Sequence, residues 1–294
     1  MMSNLKTQLI RRLFPIGQTL GIIPRRAVIP MEGDICSQMR LFLIGDELKR
    51  QGETVAFDTS AYREPYTNCE GLPRRNFNLL SAFTDLKPLS HMFDFTPAER
   101  FINSLYREAL PPRRFKLSED AYTRSFKQFF KVDYSQIEGA NRRVLDNMAF
   151  HRERTVAIHV SRRDSAKSSD PREYLISDDY FIEAALAQVR DIGEPRFYLF
   201  SDEPAWCRSH LMPLLKKELP KECSIELVDN NGSERDWLDL FLMSQCCGII
   251  AGKGLAGKYA ALLRGKDWDD GLIVLCSLDD TNMWEGILPR TYII

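Results

Sequence analysis

The sequence lacks both a long hydrophobic run and a paired-cysteine motif. No apolar stretch approaches the roughly 20 residues that a helix needs to span a bilayer, so no transmembrane segment is predicted. The seven cysteines are odd in number and include no Cys-x-x-Cys pair and no zinc-ligand spacing. Several lie in apolar runs, where a free cysteine behaves as a small hydrophobe. These features favour a reducing compartment over a disulfide scaffold.

The sequence also lacks an excess of positive charge and any internal repeat, heptad run or low-complexity tract. Its 40 basic and 41 acidic residues give a formal net charge of −1, which argues against a general nucleic-acid-binding protein. Hydrophobic residues make up 44% of the chain and charged residues 28%, as in ordinary folded proteins. The 294 residues suffice for one large domain or for two of about 150 residues each.

The N-terminal segment, residues 6–26, mixes apolar with basic side chains. It lacks a clean apolar core followed by a small-residue cleavage site, so it is not predicted to be a signal peptide. Two interpretations remain: an extension packed on the domain, or a short helix at an anionic membrane surface. We therefore expect a cytoplasmic protein, with peripheral contact at the inner face of the membrane as the alternative. The basic residues are Lys6, Arg11, Arg12, Arg25 and Arg26.

The first half of the chain begins like a strand–helix–strand unit. Residues 28–31 form an apolar run, Glu32-Gly33-Asp34 is a turn signal, and residues 37–51 have helical spacing with Ser37 as N-cap. Residues 54–58 are then predicted to form a second strand, which places the turn at the functional end of the unit. Taken alone, the same turn also fits a plain tight connection.

The middle of the chain is irregular and rich in proline, arginine and aromatic residues, with one helical piece predicted at residues 97–110. Two helices are predicted to follow, at residues 121–130 and 134–150, and the second leads directly into a buried strand. We place a domain boundary at that transition, which gives domains of residues 1–150 and 151–294.

The second half alternates buried strands with helices, which predicts an α/β domain with a parallel sheet covered by helices on both faces. Each predicted strand is a short run rich in apolar residues, and helical spacing separates one from the next. The predicted strands are Thr155–Val160, residues 196–200, Ser224–Val228, Gly248–Ala251 and residues 272–276.

Three of these strands are followed directly by polar groups. The carboxyl ends of parallel strands share one edge of a sheet, where ligands bind, so these groups can converge. The groups are Arg162-Arg163-Asp164, Ser201-Asp202-Glu203, and the loop Gly252-Lys253-Gly254-Leu255-Ala256-Gly257-Lys258, which opens a helix.

The chemistry of these three groups suits a nucleotide diphosphate. Each planar guanidinium grips phosphate oxygens at two points and keeps its charge, and lysines with N–H groups at a helix start form an anion site. Carboxylates on a neighbouring strand end suit ribose hydroxyls or the N–H edge of a base. We predict a nucleotide-diphosphate pocket here, against the alternative of ordinary solvated loops.

The glycine-lysine loop nearly fits the phosphate-loop pattern of nucleotide hydrolases, with Gly252, Gly257 and Lys258 in place. That pattern needs Ser or Thr after the lysine, because the hydroxyl ligates magnesium, whereas this chain has Tyr259. The motif also usually opens a nucleotide domain and does not arrive near its end. A phosphate-loop hydrolase is therefore disfavoured.

The order of motifs over residues 28–294 resembles glycosyltransferase family 11, the bacterial and animal α-1,2-fucosyltransferases. In the first half, Gly33-Asp34-Ile35-Cys36-Ser37-Gln38-Met39 resembles the family's Gly-Gly-Leu-Gly-Asn-Gln-Met. In the second, His159-Val160-Ser161-Arg162-Arg163-Asp164 resembles His-x-Arg-Arg-x-Asp, and Phe200-Ser201-Asp202-Glu203-Pro204-Ala205-Trp206 resembles Phe-Ser-Asp-Asp-x-x-Trp. Asp239-Leu240-Phe241-Leu242-Met243-Ser244-Gln245-Cys246 is similar to Asp-Leu-x-Leu-Met-Ser-x-Cys. No single motif is specific, but their joint order and spacing are.

Two departures from the family pattern concern the phosphate. Aligned without a gap, the family's first arginine falls on Ser161 and its second on Arg162, with Arg163 in place of a small residue. The family's Asn-Ser-Ser-Phe-Ser-Trp-Trp loop is replaced by the glycine-lysine loop, which loses hydroxyl donors and gains two lysines. These lysines can offset the missing arginine charge.

The resemblance implies a GT-B-like α/β fold, in which two Rossmann-like domains face each other across a cleft. Residues 1–150 would form the acceptor-side domain and residues 151–294 the GDP-sugar-binding domain. The implied reaction is an inverting, metal-independent transfer of L-fucose from GDP-fucose to a glycan hydroxyl, in α-1,2 linkage, during bacterial surface-polysaccharide or O-antigen assembly. The implied partners are the GDP-sugar donor and an oligosaccharide acceptor, with no metal, no other cofactor and no nucleic acid.

For the site, the resemblance implies that fixed cations stabilise the departing diphosphate. We assign this task to Arg162 and Arg163, with Lys253 in support and Asp164 beside them as a further catalytic position. The acceptor's base is then Glu32 or Asp34, unless the reaction is dissociative and needs no strong base.

The resemblance also implies a set of donor-binding positions. His159 would support the loop as a packed residue, whereas Ser201 and Asp202 would contact guanosine. The donor-binding positions are His159, Ser161, Ser201, Asp202, Glu203, Lys253 and Gly254.

Two further hypotheses stay open. In the first, the enzyme transfers another GDP-6-deoxyhexose such as colitose, which would accord with the altered donor motifs. In the second, the chain is a catalytically weak relative that binds a glycan or a nucleotide. Donor hydrolysis or transfer separates an enzyme from such a binding protein.

Overall fold

The structure is a computed structural model that describes residues 12–13, 16–23, 26–62, 76–94, 115–162, 175–232, 234–264, 271–277, 282–288 and 290–294. The chain divides into two compact units, Met1–Ser125 and Phe126–Ile294. Each unit contains a sheet whose strands are all parallel. No helix within these ranges is long and apolar enough to cross a membrane. The predicted helix at residues 97–110 lies outside the described residues, as do Arg163 and Asp164.

The first unit is built on a three-stranded sheet in the order β1-β2-β3. Helix α1 (Ile35–Arg50) connects β1 to β2 and starts two residues earlier than predicted, because Asp34 is the N-cap in place of Ser37. The Asp34 carboxylate accepts a hydrogen bond from the Ser37 backbone N–H at 2.8 Å, at the positive end of the helix dipole. The strands are β1 (Ala27–Pro30), β2 (Val55–Asp58) and β3 (Phe93–Asp94), and the unit also contains helix α2 (Leu79–Ala82). Helix α3 (Glu119–Phe129) spans the division between the two units.

The second unit contains six described strands in the order β6-β5-β4-β7-β8-β9. The chain builds outward from β4 to β6, returns to the other side of β4, and builds outward again, so the direction of winding reverses between β4 and β7. The strands are β4 (Thr155–Val160), β5 (Arg196–Ser201), β6 (Ser224–Val228), β7 (Gly248–Ala251), β8 (Ile273–Leu275) and β9 (Thr291–Ile293). This is the strand order of doubly wound nucleotide-binding folds. The last strand was not among the predicted ones.

Helices alternate with these strands. Pro204–Trp206, Cys207–Leu211 and Met212–Glu218 follow one another without a break, and the middle stretch is π-helical. The helices are α4 (Gly139–Phe150), α5 (Asp178–Ile192), α6 (Pro204–Trp206), α7 (Met212–Glu218), α8 (Asp236–Met243), α9 (Ala256–Leu263) and α10 (Asn282–Ile287).

The central strand of the second unit is buried on both faces. Consecutive β4 residues Val156, Ala157 and Ile158 are all inaccessible to solvent, although their side chains alternate between the two faces. On one of these faces the α5 residues Tyr180 and Phe181 belong to the same core cluster as Val156 and Ile158. Short apolar runs without alternation are therefore the sequence signal of this parallel sheet, and the predicted α/β class is confirmed.

The predicted domain boundary near residue 150 is not where the chain divides. The division falls between Ser125 and Phe126, so α4 belongs to the second unit. A polar cluster attaches α4 to that unit: Asn141 and Asn231 exchange amide hydrogen bonds of 2.7 and 3.2 Å, and Asn231 also donates to Asp239 at 2.6 Å. A change from helix to strand marks a connection inside a domain here, because the helix packs on the sheet that follows it. The acceptor and donor roles of the two units stay predictions.

Asp239 is expected to make the stability of the second unit depend on pH. Burial raises the pKa of its carboxyl from 3.8 to about 7; the hydrogen bond from Asn231 opposes the increase and the nearby Asp236 adds to it. The folded protein thus holds this proton more tightly than the unfolded chain, so stability falls as the pH rises from about 4 to about 7. Asp239→Asn should remove that fall.

Urea unfolding at about pH 3 and pH 8 measures the effect. The variant should match the wild type at the lower pH and exceed it by about 1 kcal/mol or more at the higher one. Asp146→Asn, the same substitution at an exposed position of α4, reports the effect of net charge together with the loss of an exposed ion pair to Arg142. Equal pH profiles for wild type and Asp239→Asn would contradict the raised pKa of this carboxyl.

Candidate functional site

The candidate site lies at the carboxyl ends of β4 and β7, where the direction of winding reverses. The two strands pair in parallel, with Val156 opposite Gly248 and Ile158 opposite Ile250. In open α/β sheets the adjacent connections leave in opposite directions at such a point, which opens a crevice where ligands bind. The ends of β4 and β7 carry His159, Ser161 and Arg162 on one side and Gly252, Lys253 and Gly254 on the other.

Asp202 attaches the end of β4 to the end of β5. The two strands are in register through Val160 and Ser201, so the residues that follow lie side by side. The Asp202 carboxylate accepts the Arg162 backbone N–H at 3.0 Å and the Ser161 hydroxyl at 3.5 Å. Asp202 therefore fixes the turn that carries Arg162. This structural role was not predicted, since the predicted role of Asp202 was a contact with guanosine. That contact stays a prediction.

The guanidinium of Arg162 lies over an aromatic ring. Its Cζ atom is 3.8 Å from the ring centre of Trp206, the last residue of α6. A cation placed over the face of an indole is attracted by the negative charge density of the ring. The backbone of Arg162 is thus held by Asp202 and its side chain by Trp206.

The glycine-lysine loop after β7 uses each of its glycines differently. A Cβ on Gly252 would lie 2.2 Å from the carbonyl oxygen of His159, and one on Gly257 would lie 2.7 Å from the Cβ of Ala251. Gly254 has a φ of +92° and no other atom within 4 Å of its Cβ position. Gly252 therefore lets the loop backbone approach β4 closely, Gly254 forms an open left-handed turn, and Gly257 lets α9 pack tightly on β7.

The roles of these three glycines match those in the Gly-x-Gly-x-x-Gly fingerprint of nucleotide-binding folds, which lies between a strand and a helix. Sequence reasoning missed it by comparing the loop only with the phosphate-loop pattern. The signal was present, since Gly252-Lys253-Gly254-Leu255-Ala256-Gly257 directly follows a predicted strand and opens a predicted helix.

The two lysines of the loop differ in their surroundings. Lys258 is only 2% exposed, and its Nζ atom donates to the Gly254 carbonyl oxygen at 2.8 Å. It holds the loop in shape from inside the first turn of α9. Lys253 is half-buried on the loop itself, beside Gly254.

The turn after β5 is closed locally. The Ser201 hydroxyl accepts the Glu203 backbone N–H at 2.9 Å, and Glu203 is exposed. Cys207 lies buried behind this turn, where burial raises the pKa of its thiol against the opposing hydrogen bond from Ser201. A thiol with a raised pKa is a poor nucleophile, so Cys207 serves the core.

The loop after β1 in the first unit contains the predicted bases. Glu32 is exposed, while Asp34 is committed to capping α1 through one carboxylate oxygen. Gln38, four residues after Asp34 in the same motif, is fully buried, and its amide makes four hydrogen bonds to backbone groups. It donates to the carbonyls of Gly33 and Asn76 and accepts from the N–H groups of Asn78 and Leu79. Gln38 therefore shapes this loop, and the base role of Glu32 or Asp34 stays a prediction.

The structure thus brings Ser161, Arg162 and Asp202 into direct contact and seats His159 against the glycine loop. Ser201 and Glu203 form the neighbouring turn. Within the described ranges, no three His, Cys, Asp or Glu residues gather where they could hold a metal ion.

The family model of glycosyl transferase family 11 matches residues 119–277, more than half of the 294-residue chain. The chain belongs to this family. The match begins in α3, spans all strands from β4 to β8, and includes both the Arg162 turn and the glycine loop. No curated protein matches this glycosyltransferase in sequence.

Solved structures resemble this glycosyltransferase in fold. POFUT1 in complex with GDP has a TM-score of 0.50 at 10% sequence identity, over 92% of this chain and 98% of that chain. POFUT1 in complex with GDP-fucose has a TM-score of 0.49 at 10% identity, with the same coverages of 92% and 98%. The E. coli ADP-heptose LPS heptosyltransferase II has a TM-score of 0.45 at 9% identity, over 92% of this chain and 90% of that chain. The predicted GT-B-like α/β fold class is confirmed, whereas the cleft between domains stays a prediction.

The close approach at Gly252 makes a prediction about this glycosyltransferase. Gly252→Ala should lower the free energy of unfolding by about 1–3 kcal/mol, because its methyl group would press on a backbone atom of β4 that cannot rotate away. Gly232→Ala is the matched control, since its new methyl meets nothing nearer than 3.6 Å. It should change stability by less than about 0.5 kcal/mol. Urea unfolding of the two variants checks this, and equal stabilities would show that the loop does not lie against His159.

Proposed function

We propose that this family 11 glycosyltransferase is an inverting, metal-independent fucosyltransferase. It moves L-fucose from GDP-fucose to a glycan hydroxyl in α-1,2 linkage, in the assembly of bacterial surface polysaccharide or O-antigen. The observation that carries the proposal is the placement of Arg162 and of a Gly-x-Gly-x-x-Gly loop at the ends of two paired strands, at the point where the winding of the sheet reverses. Its support from outside is the family match and the fold shared with a POFUT1 structure that contains GDP.

The difficult step is cleavage of the bond between the anomeric carbon and the β-phosphate oxygen. Negative charge grows on the phosphate and positive charge on the sugar ring, and the electron pair of the broken bond leaves with GDP. Cations fixed in place before the reaction stabilise that charge without reorganising. Arg162 and Arg163 take this role, with Lys253 on the opposite strand end and Asp164 beside the arginines.

The acceptor oxygen forms its bond to the anomeric carbon from the face opposite the phosphate. Its proton passes to Glu32 or Asp34, or leaves after attack in a dissociative path that needs no strong base. Asp34 also accepts the Ser37 N–H as a helix cap, and Glu32 is exposed.

The remaining donor-binding positions surround the phosphate site. Gly254 leaves open space where a phosphate can approach the backbone, and Ser161 and His159 line the β4 side. Ser201 ends β5, Asp202 and Glu203 follow it, and all three would face the nucleoside. A GDP-6-deoxyhexose other than fucose, such as colitose, is the second candidate, favoured by Ser161 where the family has arginine.

Calorimetric titration with GDP, followed by hydrolysis assays over a panel of GDP-sugars, tests the function. Arg162→Ala and Arg163→Ala should each weaken GDP binding by about 10- to 100-fold, the effect of losing a hydrogen bond to a charged group. Arg142→Ala, an exposed arginine of α4 that pairs with Asp146, is the control and should bind GDP like the wild type. A chelator should leave the rate unchanged.

Failure of GDP to bind would reject the proposal. Tight GDP binding without turnover of any donor would favour a catalytically weak relative, and selective turnover of another GDP-6-deoxyhexose would replace fucose as the substrate.

We further propose that residues 12–26 contact an anionic membrane at the inner face. Four aliphatic side chains of this segment are exposed: Leu13 by 53%, Ile16 by 54%, Leu20 by 66% and Ile22 by 75%. The backbone N–H of Ile22 donates to the Gly17 carbonyl, and that of Gly21 donates to the Gln18 carbonyl. These two hydrogen bonds end the short helical turn that precedes Ile22. The first acidic residue of the chain is Glu32, whereas five basic residues precede it. Exposed aliphatic groups among positive charges suit an anionic lipid surface.

Sedimentation with vesicles tests this contact. The protein should bind phosphatidylglycerol-containing vesicles and not pure phosphatidylcholine, and binding should weaken with salt. Leu20→Ser with Ile22→Ser should lower the vesicle-bound partition coefficient at least about 10-fold. Phe150→Ser, which removes an 83% exposed aromatic ring elsewhere, is the control. Unchanged partitioning of the double variant would contradict the proposal.

A further inference from the structure

Arg162 stands at one end of a column of side chains from three separate segments. Trp206 lies under its guanidinium at 3.8 Å, and the ring of His210 lies 4.9 Å from the Trp206 ring at an interplanar angle of 38°. The Nε2 atom of His210 is 2.8 Å from a carboxylate oxygen of Asp178, in the first turn of α5. We refer to these four residues as the stacked column.

The π-helical stretch Cys207–Leu211 accounts for the middle of the column. Its first and last residues, Cys207 and Leu211, are completely buried in the core of the second unit. With these two anchored inward, Trp206 and His210 stand one turn apart on the outer side and can stack. Single π-helical turns inside α-helices are rare and occur frequently at functional sites.

The other end of the column is equally well fixed. Ser177 caps α5 through its hydroxyl, which accepts the Tyr180 backbone N–H at 3.3 Å, and Asp178 follows directly. Tyr180 in turn donates its phenolic hydrogen to the carbonyl oxygen of Ala251 at 2.7 Å, at the end of β7. The start of α5 is thereby tied to the same sheet edge that carries the glycine loop.

A free arginine side chain loses up to about 2 kcal/mol of rotamer entropy when a ligand immobilises it. An arginine already held on a ring has lost part of that freedom before the ligand arrives. A larger share of the free energy of each phosphate contact then contributes to affinity or rate. Stacking uses the face of the guanidinium, whereas its hydrogen bonds lie in the plane, so the two interactions are compatible.

We propose that Trp206 is the positioning residue of Arg162, and that His210, which pairs with Asp178, holds the indole in place through its ring contact. The part of this proposal that concerns a diphosphate rests on the proposed function. The stack itself is a property of the protein without ligand and can be measured separately. Trp206 acts through Arg162 and needs no contact with the reacting atoms.

The first measurement is nuclear magnetic resonance of the ligand-free protein. The side-chain Nε–Hε signal of Arg162, identified by its loss in Arg162→Lys, should carry the ring-current shift of the indole. It should move toward the position of an unstacked arginine in Trp206→Ala and keep most of its shift in Trp206→Phe. An Arg162 signal that does not respond to Trp206→Ala would overturn the stack, whatever the protein does with GDP.

The second measurement is GDP affinity together with donor turnover. Trp206→Ala should weaken GDP binding by about 5- to 30-fold, the range of a partly desolvated cation–π contact. The same variant should lower kcat more than it raises KM, because the phosphate charge is largest in the transition state. Trp206→Phe should stay within about threefold of the wild type. His210→Ala should show a smaller effect in the same direction.

Arg208→Ala is the control on the same π-helical stretch, where Arg208 forms an exposed ion pair with Asp229 away from the column. It should leave both the Arg162 signal and GDP affinity unchanged. A confirmed stack in a protein that binds no GDP would reject the proposed function and leave the arrangement intact. A confirmed stack with normal GDP affinity and kcat in Trp206→Ala would overturn the positioning role itself.

Discussion

The loop after β7 lies against the backbone of β4 because residue 252 carries no side chain. A single added methyl would stand 2.2 Å from the His159 carbonyl oxygen, well inside any van der Waals contact. This contact sets how closely the two sides of the reversal point approach. The remaining glycines extend its effect, since Gly257 lets α9 pack against the last residue of β7. The distance between the β4 turn and the loop is therefore fixed by backbone atoms, which cannot adopt other rotamers.

The backbone and the side chain of Arg162 are held by different residues. The Asp202 carboxylate accepts the Arg162 backbone N–H and the Ser161 hydroxyl. The guanidinium lies over the face of Trp206, which attracts a cation without a formal negative charge. A cation fixed in place before the reaction is suited to stabilise charge on a leaving phosphate.

Much of the second unit could be predicted from sequence because buried parallel strands leave a strong local signal. Val156 to Ile158 and Phe197 to Phe200 are uninterrupted apolar runs, and the polar residues begin within one position of each strand end. Register then follows, since strands of equal direction bring their ends to one edge. Strand β9 was missed because Thr291–Ile293 is only three residues long and half exposed.

Other features depend on tertiary contacts that leave no local signal. Helix α4 is attached to the second unit by amide hydrogen bonds between Asn141 and Asn231, which are 90 residues apart. Asp34 and Ser37 are both good helix caps by type, and only the backbone geometry decides between them. The stack of Arg162 on Trp206 joins the end of β4 to the last residue of α6, and neither of the two sequence motifs that contain these residues indicates their contact.

The order of strands has one more consequence. β4-β5-β6 and β7-β8-β9 form two halves of three strands each, joined along the β4–β7 seam. Each half supplies one wall of the crevice, the arginine turn from the first and the glycine loop from the second. A substitution in the hydrophobic interior of either half that alters its twist shifts one wall against the other without touching a ligand. The width of the crevice therefore depends on the packing of strands that lie outside it.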